Sequence, residues 1–264
     1  MRALFAIFRK ELSVYFTTPL AWVVLMVMAF FSAQFFTGAL DTWRFVSLRA
    51  VQVQSAGTLE RMNLTDLVVA RLFGAVALFL VVTAPFLSMR LVAEEKRDRT
   101  FELLMTAPVR PAAIVLGKYL ASLVVLAAAL AVVGAYPLLL SRLAQGASGG
   151  PAVEWATVWS GLAGLFLLGA MALSVGLFFS AATDTPVVAA LLALVVLLGL
   201  WTATQFTVGV EGPARDLAAA LSASEHLGPF LQGRLVLSDV LYYLSFSVLG
   251  LWLADRAVEG HRWV

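Results

Sequence analysis

Six long apolar stretches constrain this chain more than any other feature of its sequence. Each is about as long as a membrane-crossing helix, and only isolated charged residues interrupt them. An α-helix needs about 20 apolar residues, at about 1.5 Å of rise per residue, to cross the hydrocarbon core of a bilayer. The predicted spans are residues 21–40, 68–89, 111–140, 155–182, 186–208 and 235–254.

Composition supports an integral membrane protein and excludes several classes of function. Of the 264 residues, 61% are hydrophobic and 13% are charged, whereas globular domains average about 45–50% and about 25%. A net charge of only +2 gives no indication of a nucleic acid partner. The absence of cysteine excludes disulfides, thiolate catalysis and cysteine metal sites. The predicted fold class is therefore all-α, a bundle of six transmembrane helices.

The distribution of basic residues over the predicted loops sets the orientation. The side that carries both termini and the loop at 90–110 has eleven Lys and Arg residues. The opposite side has six, which are Arg44, Arg49, Arg61, Arg142, Arg215 and Arg234. Because basic loops are retained in the cytoplasm, both termini are predicted to lie there, with the protein in the inner (plasma) membrane.

The N-terminal segment, residues 1–18, differs from the six-span domain at 19–264. At about 100° per residue, apolar side chains between Leu4 and Phe16 share one helix face, while Arg9 and Lys10 fall opposite. This pattern predicts an amphipathic helix that lies in the membrane interface. Two interpretations remain open: an anchor that sets the topology, or an elbow that rests against a cytoplasmic partner.

The sequence lacks the common motifs of nucleotide and metal chemistry. Lys118 follows Gly117, but a GxxxxGK[ST] phosphate loop also needs an upstream glycine and a following hydroxyl, which are missing. His226 and His261 fall on opposite predicted sides of the membrane, so they cannot share one metal site. We therefore predict no catalytic, cofactor-binding or metal-binding residues, and a chain that is not itself an enzyme.

A few polar side chains lie within or near the spans and are candidates for the transport path or for helix packing. Gln34 and Gln205 are the deepest, and interhelical hydrogen bonding or substrate contact would explain them. Arg71 and Lys118 lie close enough to span ends to snorkel to the interface, although charges inside a span can also serve a pathway. Asp239 is expected to be hydrated for the same reason.

The loop at 90–110 carries the densest information in the chain. Charges crowd residues 94–99, and the apolar run 101–105 follows before Pro108. Thr100 can cap a short helix there, and Glu102 complements its dipole. A solvated loop would leave the apolar run exposed, whereas a docking element for a cytoplasmic partner explains both halves. The candidate contacts are Glu94, Glu95, Arg97, Thr100, Phe101, Glu102, Leu103, Leu104 and Pro108.

The same region carries a family resemblance. Its motif consists of Pro85, Met89, Arg90, Glu94 to Arg97, Thr100, Glu102 to Leu104, Thr106 to Pro108 and Val115 to Lys118. In this pattern the chain resembles the permeases of ABC-2 type transporters, especially the gliding-motility-associated subfamily. It departs at Arg99, where that family usually has glycine. Further similarity extends the resemblance over nearly the whole chain, at residues 9–12, 15–16, 19, 180–183, 224–233 and 239–243.

This resemblance implies the transmembrane subunit of an ABC exporter of the type V kind, with an elbow helix and a cytoplasmic coupling helix. A separate ABC ATPase subunit would hold ATP and Mg, and a second permease subunit, identical or paralogous, would complete the transporter in the lipid bilayer. An envelope accessory protein is a further possible partner. The alternative is a non-transporting membrane scaffold that passes ATPase-driven motion to envelope partners. An ion-coupled secondary transporter is disfavoured because no carboxylate lies near the midplane of the spans.

Overall fold

Helices account for the regular structure throughout the described part of the chain. The computed structural model describes residues 2–52, 65–101, 109–143, 153–207 and 212–260. Its α-helices are α1 (Arg2–Thr17), α2 (Pro19–Gln52), α3 (Ala70–Ser88), α4 (Ala93–Arg97), α5 (Pro111–Leu143), α6 (Trp155–Ala182), α7 (Pro186–Thr202), α8 (Pro213–Leu221), α9 (Ala223–Leu231) and α10 (Leu237–Gly260). A π-helical turn, Thr65–Val69, leads into α3, and a 3₁₀ turn, Ala203–Thr207, follows α7.

Six of these helices are long and apolar enough to cross a membrane, namely α2, α3, α5, α6, α7 and α10. The predicted all-α, six-span fold is thereby confirmed. Helix α2 runs 34 residues to Gln52, which is about 51 Å at the standard rise and longer than a hydrocarbon core of about 30 Å. The sequence predicted that the span ends at residue 40 and that a loop follows, but α2 continues as a helix to Gln52.

Helix α6 occupies the centre of the bundle. It contacts α3, α5, α7, α9 and α10, and small residues along it let these neighbours approach closely. A Cβ atom at Gly164 would lie 2.7 Å from Cβ of Phe230, and one at Gly169 would lie 2.7 Å from Cδ1 of Leu126. The core is therefore built around the narrow surface of α6.

Helices α6 and α10 run parallel, which defines two ends of the bundle. Gly233 approaches Thr157 near the start of α6, and Gly250 approaches Ser174 further along. The last turn of α6 contacts α4, and α4 in turn lies beside α1. We call this the α1 end; the opposite end, which carries α8, α9 and the start of α10, is the α8–α9 end.

A tight turn at residues 183–185 separates α6 from α7. Pro186 occupies the first turn of α7, where a missing N–H and a fixed φ favour helix initiation. Thr185 precedes it without a side-chain cap. The carboxylate of Asp184, in the same turn, lies 3.9 Å from Nζ of Lys96.

At the α8–α9 end, Asp239 is buried rather than hydrated, which corrects the sequence-based expectation. Its Oδ1 lies 2.7 Å from Nδ1 of His226 on α9, and the ring of His226 stacks on Tyr242 with centroids 4.0 Å apart. The hydroxyl of Tyr243 donates to the carbonyl of Ala223 at 2.8 Å. Packing of α9 against the start of α10 therefore shields this carboxylate from water. His261 lies outside the described residues.

Candidate functional site

Helix α1 packs against the beginning of α5 through a glycine. A Cβ atom at Gly117 would lie 2.9 Å from Cγ2 of Ile7 and 3.2 Å from the carbonyl oxygen of Leu4, so only glycine permits this approach. Further along α1, the buried Tyr15 donates its hydroxyl to the carbonyl of Leu87 at 3.2 Å. Burial, with the nearby carboxylate of Glu11, raises the pKa of the Tyr15 hydroxyl well above its usual range.

Four charged side chains meet where α1, α4 and α5 come together. Nζ of Lys118 lies 2.9 Å from Oε1 of Glu11 and 2.9 Å from Oε1 of Glu95. Nζ of Lys10 lies 3.0 Å from each of the same two oxygens. The Lys118 side chain is 2% exposed and the Lys10 side chain 58%. We call Lys10, Glu11, Glu95 and Lys118 the four-charge cluster. The ammonium group of Lys118 lies on its buried side, that of Lys10 lies on its exposed side, and the two carboxylates lie between them.

The cluster balances a desolvation cost with close opposite charges. Burial would raise the pKa of Glu11, but the adjacent ammonium groups of Lys118 and Lys10 outweigh it and lower the pKa. Burial would lower the pKa of Lys10, but Glu11 and Glu95 outweigh it and raise the pKa. Each group thus depends on its partners, and removing one partner from a buried ion pair typically costs about 3–5 kcal/mol.

The placement of Lys118 differs from the snorkelling that its position favoured. Its ammonium group remains buried because carboxylates from α1 and α4 reach it, so the side chain need not extend to water. Arg71, Gln34 and Gln205 are exposed on the surface of the single chain. The structure therefore brings none of these three residues into the cluster.

Ser180 joins the break between α3 and α4 to the end of α6. Its hydroxyl donates to the carbonyl of Met89 at 2.8 Å and accepts from the backbone N–H groups of Val92 and Ala93, each at 3.0 Å. Nζ of Lys96 donates to the carbonyl of Ala181. The short helix α4 is thus held on one side by α6 and on the other by the four-charge cluster.

Helix α4 ends in a left-handed residue, Arg99, with φ of +56°. The N–H of Thr100 donates to the carbonyl of Glu95 at 2.9 Å, and the N–H of Arg99 donates to the carbonyl of Lys96 at 3.1 Å. These two bonds form a Schellman motif, whose left-handed position usually holds glycine. A left-handed bend that usually requires glycine is therefore formed here by arginine.

A comparison with protein families identifies the architecture. The model of the ABC-2 family transporter proteins matches residues 5–246. The chain belongs to the ABC-2 family. None of the curated proteins matches it. This ABC-2 permease is a multi-pass membrane subunit of an ABC transporter, which bears out the sequence resemblance at the level of the family.

The predicted contact residues of this ABC-2 permease lie in different environments. Glu95 belongs to the four-charge cluster. Phe101 is buried, and the centroid of its ring lies 5.7 Å from Nζ of Lys96. Glu94 and Arg97 pair with each other at 3.8 Å on the more exposed face of α4. Thr100 closes α4, because its hydroxyl donates to the carbonyl of Glu95 at 3.2 Å; it was predicted to cap the next helix. The remaining predicted contacts lie outside the described residues: Glu102, Leu103, Leu104 and Pro108.

Sequence reasoning assigned no role to Glu11, which the ABC-2 permease places at the centre of its cluster. A signal was present, because Glu11 shares a helix face with apolar residues at helical spacing, among them Leu4, Ile7, Phe8 and Tyr15. A carboxylate on the buried face of an amphipathic helix needs a cation. The isolated Lys118 inside the third span supplies it.

Proposed function

We propose that this ABC-2 permease is the transmembrane subunit of an exporter, and that a separate ABC ATPase drives it through the segment 90–110. The observation that carries the proposal is the double attachment of α4. The four-charge cluster ties α4 to α1 and α5, and Ser180 with Lys96 ties it to α6. A displacement of this segment is thereby passed to several helices at once.

In this proposal the chain contributes mechanical coupling and no nucleotide chemistry. ATP and Mg bind to the ATPase, and the permease supplies a docking surface and the attachments that carry its motion. Glu94 and Arg97, which lie on the exposed face of α4, face the ATPase. The residues from Leu103 to Pro108 supply apolar contact area, as in the core of ordinary protein interfaces, whereas Phe101 is buried within the chain.

The proposal also includes the arrangement of the complete transporter. The excess of Lys and Arg on one side supports an inner-membrane protein with both termini and the segment 90–110 in the cytoplasm. Residues 1–18 form the elbow and 19–264 the permease domain. A second permease subunit completes the path, and the motif at 85–118 resembles the gliding-motility-associated subfamily, for which an envelope accessory partner is expected.

Coupling is tested by Glu95→Gln against the matched control Glu94→Gln. Both carboxylates lie on α4, but Glu95 is 17% exposed and pairs with Lys118, whereas Glu94 is 38% exposed. With the ATPase that co-purifies, Glu95→Gln should retain assembly and basal hydrolysis but lose most of the permease-dependent stimulation. Glu94→Gln should change stimulation less. Stimulation of ATP hydrolysis at the wild-type level in Glu95→Gln would show that the four-charge cluster does not couple.

Docking is tested separately with Leu104→Asp. An unpaired carboxylate buried at the ATPase interface costs several kcal/mol, which corresponds to a loss of affinity of about 100-fold or more. Pull-down of the ATPase at wild-type affinity would place the docking element elsewhere. Stimulation of ATP hydrolysis by an exported substrate would distinguish the exporter from the non-transporting scaffold.

A further inference from the structure

An apolar groove opens between α1, α5 and α6 near the α1 end. Its volume is about 430 Å³, and its walls include Leu4, Phe5 and Phe8 of α1, Leu120 and Val124 of α5, and Phe166 of α6. No polar surface lines it. On α5 the groove extends from Leu120 to Ala127, which is about 10 Å at the helical rise. This wall lies inside the third span, so the groove faces the hydrocarbon of the bilayer.

A second hollow adjoins the groove at Phe5, and two of the residues in its walls are basic. It measures about 560 Å³ and is lined by Phe5, Ala6, Arg9, Lys10 and Ser13. Lys10 is already paired with two carboxylates of the four-charge cluster. Arg9 is exposed, and among the described residues no carboxylate lies within 4 Å of its guanidinium. An apolar groove and an uncompensated cation thus lie next to each other.

We propose that this paired surface binds an anionic phospholipid. One acyl chain lies in the groove along α5, and the phosphate of the headgroup pairs with Arg9. The chemistry of the surface favours a lipid because an interfacial helix such as α1 holds its basic residues at the level of the headgroups while its apolar face meets the acyl chains. A negative net charge is favoured over a zwitterion because basic residues at the surface attract anionic lipids.

The proposal gives the lipid a place in the coupling pathway. Phe5 and Phe8 line the groove, and Lys10 and Glu11 of the same helix belong to the four-charge cluster. A bound lipid would therefore hold α1 against α5 at the position where Glu11 meets Lys118. This consequence rests on the proposed function, whereas the binding itself does not.

The test is native mass spectrometry of the purified full-length chain, titrated with dioleoyl phosphatidylglycerol or dioleoyl phosphatidylcholine. The wild type should bind phosphatidylglycerol more tightly. Arg9→Gln should weaken phosphatidylglycerol binding about fivefold, the amount expected for one basic residue at a membrane surface, and Arg9→Lys should retain it. Arg90→Gln removes an exposed arginine outside the groove and should leave the preference unchanged.

The acyl chain is tested with Val124→Trp, which fills the groove at a partly exposed position and should weaken binding of both lipids. Folding of each variant is checked by its helical circular dichroism. Equal affinities of the wild type for the two lipids would overturn the proposal, and so would an equal loss in Arg9→Gln and Arg90→Gln. Binding of glycerol phosphate as tightly as the full lipid would show an anion site without the groove, which also contradicts the proposal.

Discussion

Single charged groups at the α1 end depend on partners that lie far away in the chain. Glu11 and Lys118 are 107 residues apart in sequence, yet the ammonium group donates to the carboxylate at 2.9 Å. Glu95 is the second carboxylate on the same ammonium group. The contribution of each charged residue to stability therefore depends on its partners in the folded chain, because an unpaired charge in this interior would be strongly destabilising.

We expect the contribution of Glu11 to stability to depend on pH. Its pKa in the folded chain is below the ordinary value of 4.5 because Lys118 and Lys10 stabilise the carboxylate against the opposing effect of burial. The contribution is therefore present in full above pH 4.5 and is lost as the pH falls through the folded pKa. Thermal unfolding in detergent should show Glu11→Gln less stable than wild type at pH 7, with a smaller difference at pH 4.

The matched control for this experiment is Glu94→Gln, which removes a more exposed carboxylate of α4. Its melting temperature should differ little from that of the wild type at either pH, because exposed ion pairs contribute about 0–1 kcal/mol. A difference between Glu11→Gln and wild type that stays constant from pH 7 to pH 4 would contradict the linkage.

A substitution by glycine should be tolerated better at Arg99 than at most other positions of the loop at 90–110. Its φ of +56° is a conformation that costs an L-residue roughly 1 kcal/mol and costs glycine almost nothing. Arg99→Gly is therefore expected to stabilise the chain slightly, whereas Arg97→Gly, inside α4, should destabilise it by up to about 1 kcal/mol. Limited proteolysis of the two variants at this segment, alongside thermal unfolding, measures the contrast; similar effects at both positions would count against the Schellman motif.

At the scale of elements, the bundle depends on how closely its helices approach α6. Small residues on α6 accept large side chains of the neighbouring helices, as Gly164 does with Phe230 of α9 and Gly169 with Leu126 of α5. In a bilayer, where lipid tails are as apolar as leucine, such close van der Waals packing replaces the hydrophobic effect as the main source of helix association. The exposed face of α7 lacks such contacts.

Glycine-to-alanine substitutions on α6 and on α7 should therefore change the stability of the chain in different directions. At Gly164 the new Cβ would lie 2.7 Å from Cβ of Phe230, whereas at Gly199 on α7 nothing lies within 4 Å. We expect Gly164→Ala to destabilise the chain by about 1–3 kcal/mol through overpacking, and Gly199→Ala to be neutral or stabilising by up to about 1 kcal/mol. Chemical or thermal denaturation in one detergent compares them; equal stability of the two variants would mean that α9 does not pack on α6 as described.

At the scale of the whole molecule, the two ends of the bundle differ in chemistry. The α1 end concentrates the four-charge cluster and the charged segment 94–99. The α8–α9 end presents the short helices α8 and α9, and His226 of α9 is paired there with the buried Asp239. The basic excess at the α1 end is the feature that orients the proposed transporter.

That orientation can be measured directly, because the chain contains no cysteine. On intact cells, an impermeant thiol reagent should label Gly146→Cys and should not label Asp98→Cys until the membrane is permeabilised. The unmodified, cysteine-free chain serves as the background control. Labelling of Asp98→Cys in intact cells without labelling of Gly146→Cys would invert the topology and remove the segment 90–110 from reach of a cytoplasmic ATPase.

The sequence alone determined the fold class, the six spans and the helical, amphipathic character of α1. These follow from it because a bilayer imposes one strong requirement, a run of about 20 apolar residues in a helix whose backbone satisfies itself. The special nature of the loop at 90–110 was also visible, since its charges adjoin an apolar run and its motif resembles ABC-2 permeases. The bend at Arg99 did not follow from the sequence, because an arginine stands where the resemblance expects glycine; the structure shows it through the φ of +56°.

Only the tertiary structure decided which polar groups meet. A lysine near a span end gives the same hydropathy pattern whether its side chain snorkels to the interface or is buried. The burial of Lys118 therefore depended on its ion pairs with Glu11 and Glu95. The same holds for Asp239, which is buried because His226 is brought to it by α9. A charge's free energy in a protein depends on the distance to its partners and on the water that neighbouring helices exclude, and both quantities exist only after the helices have packed.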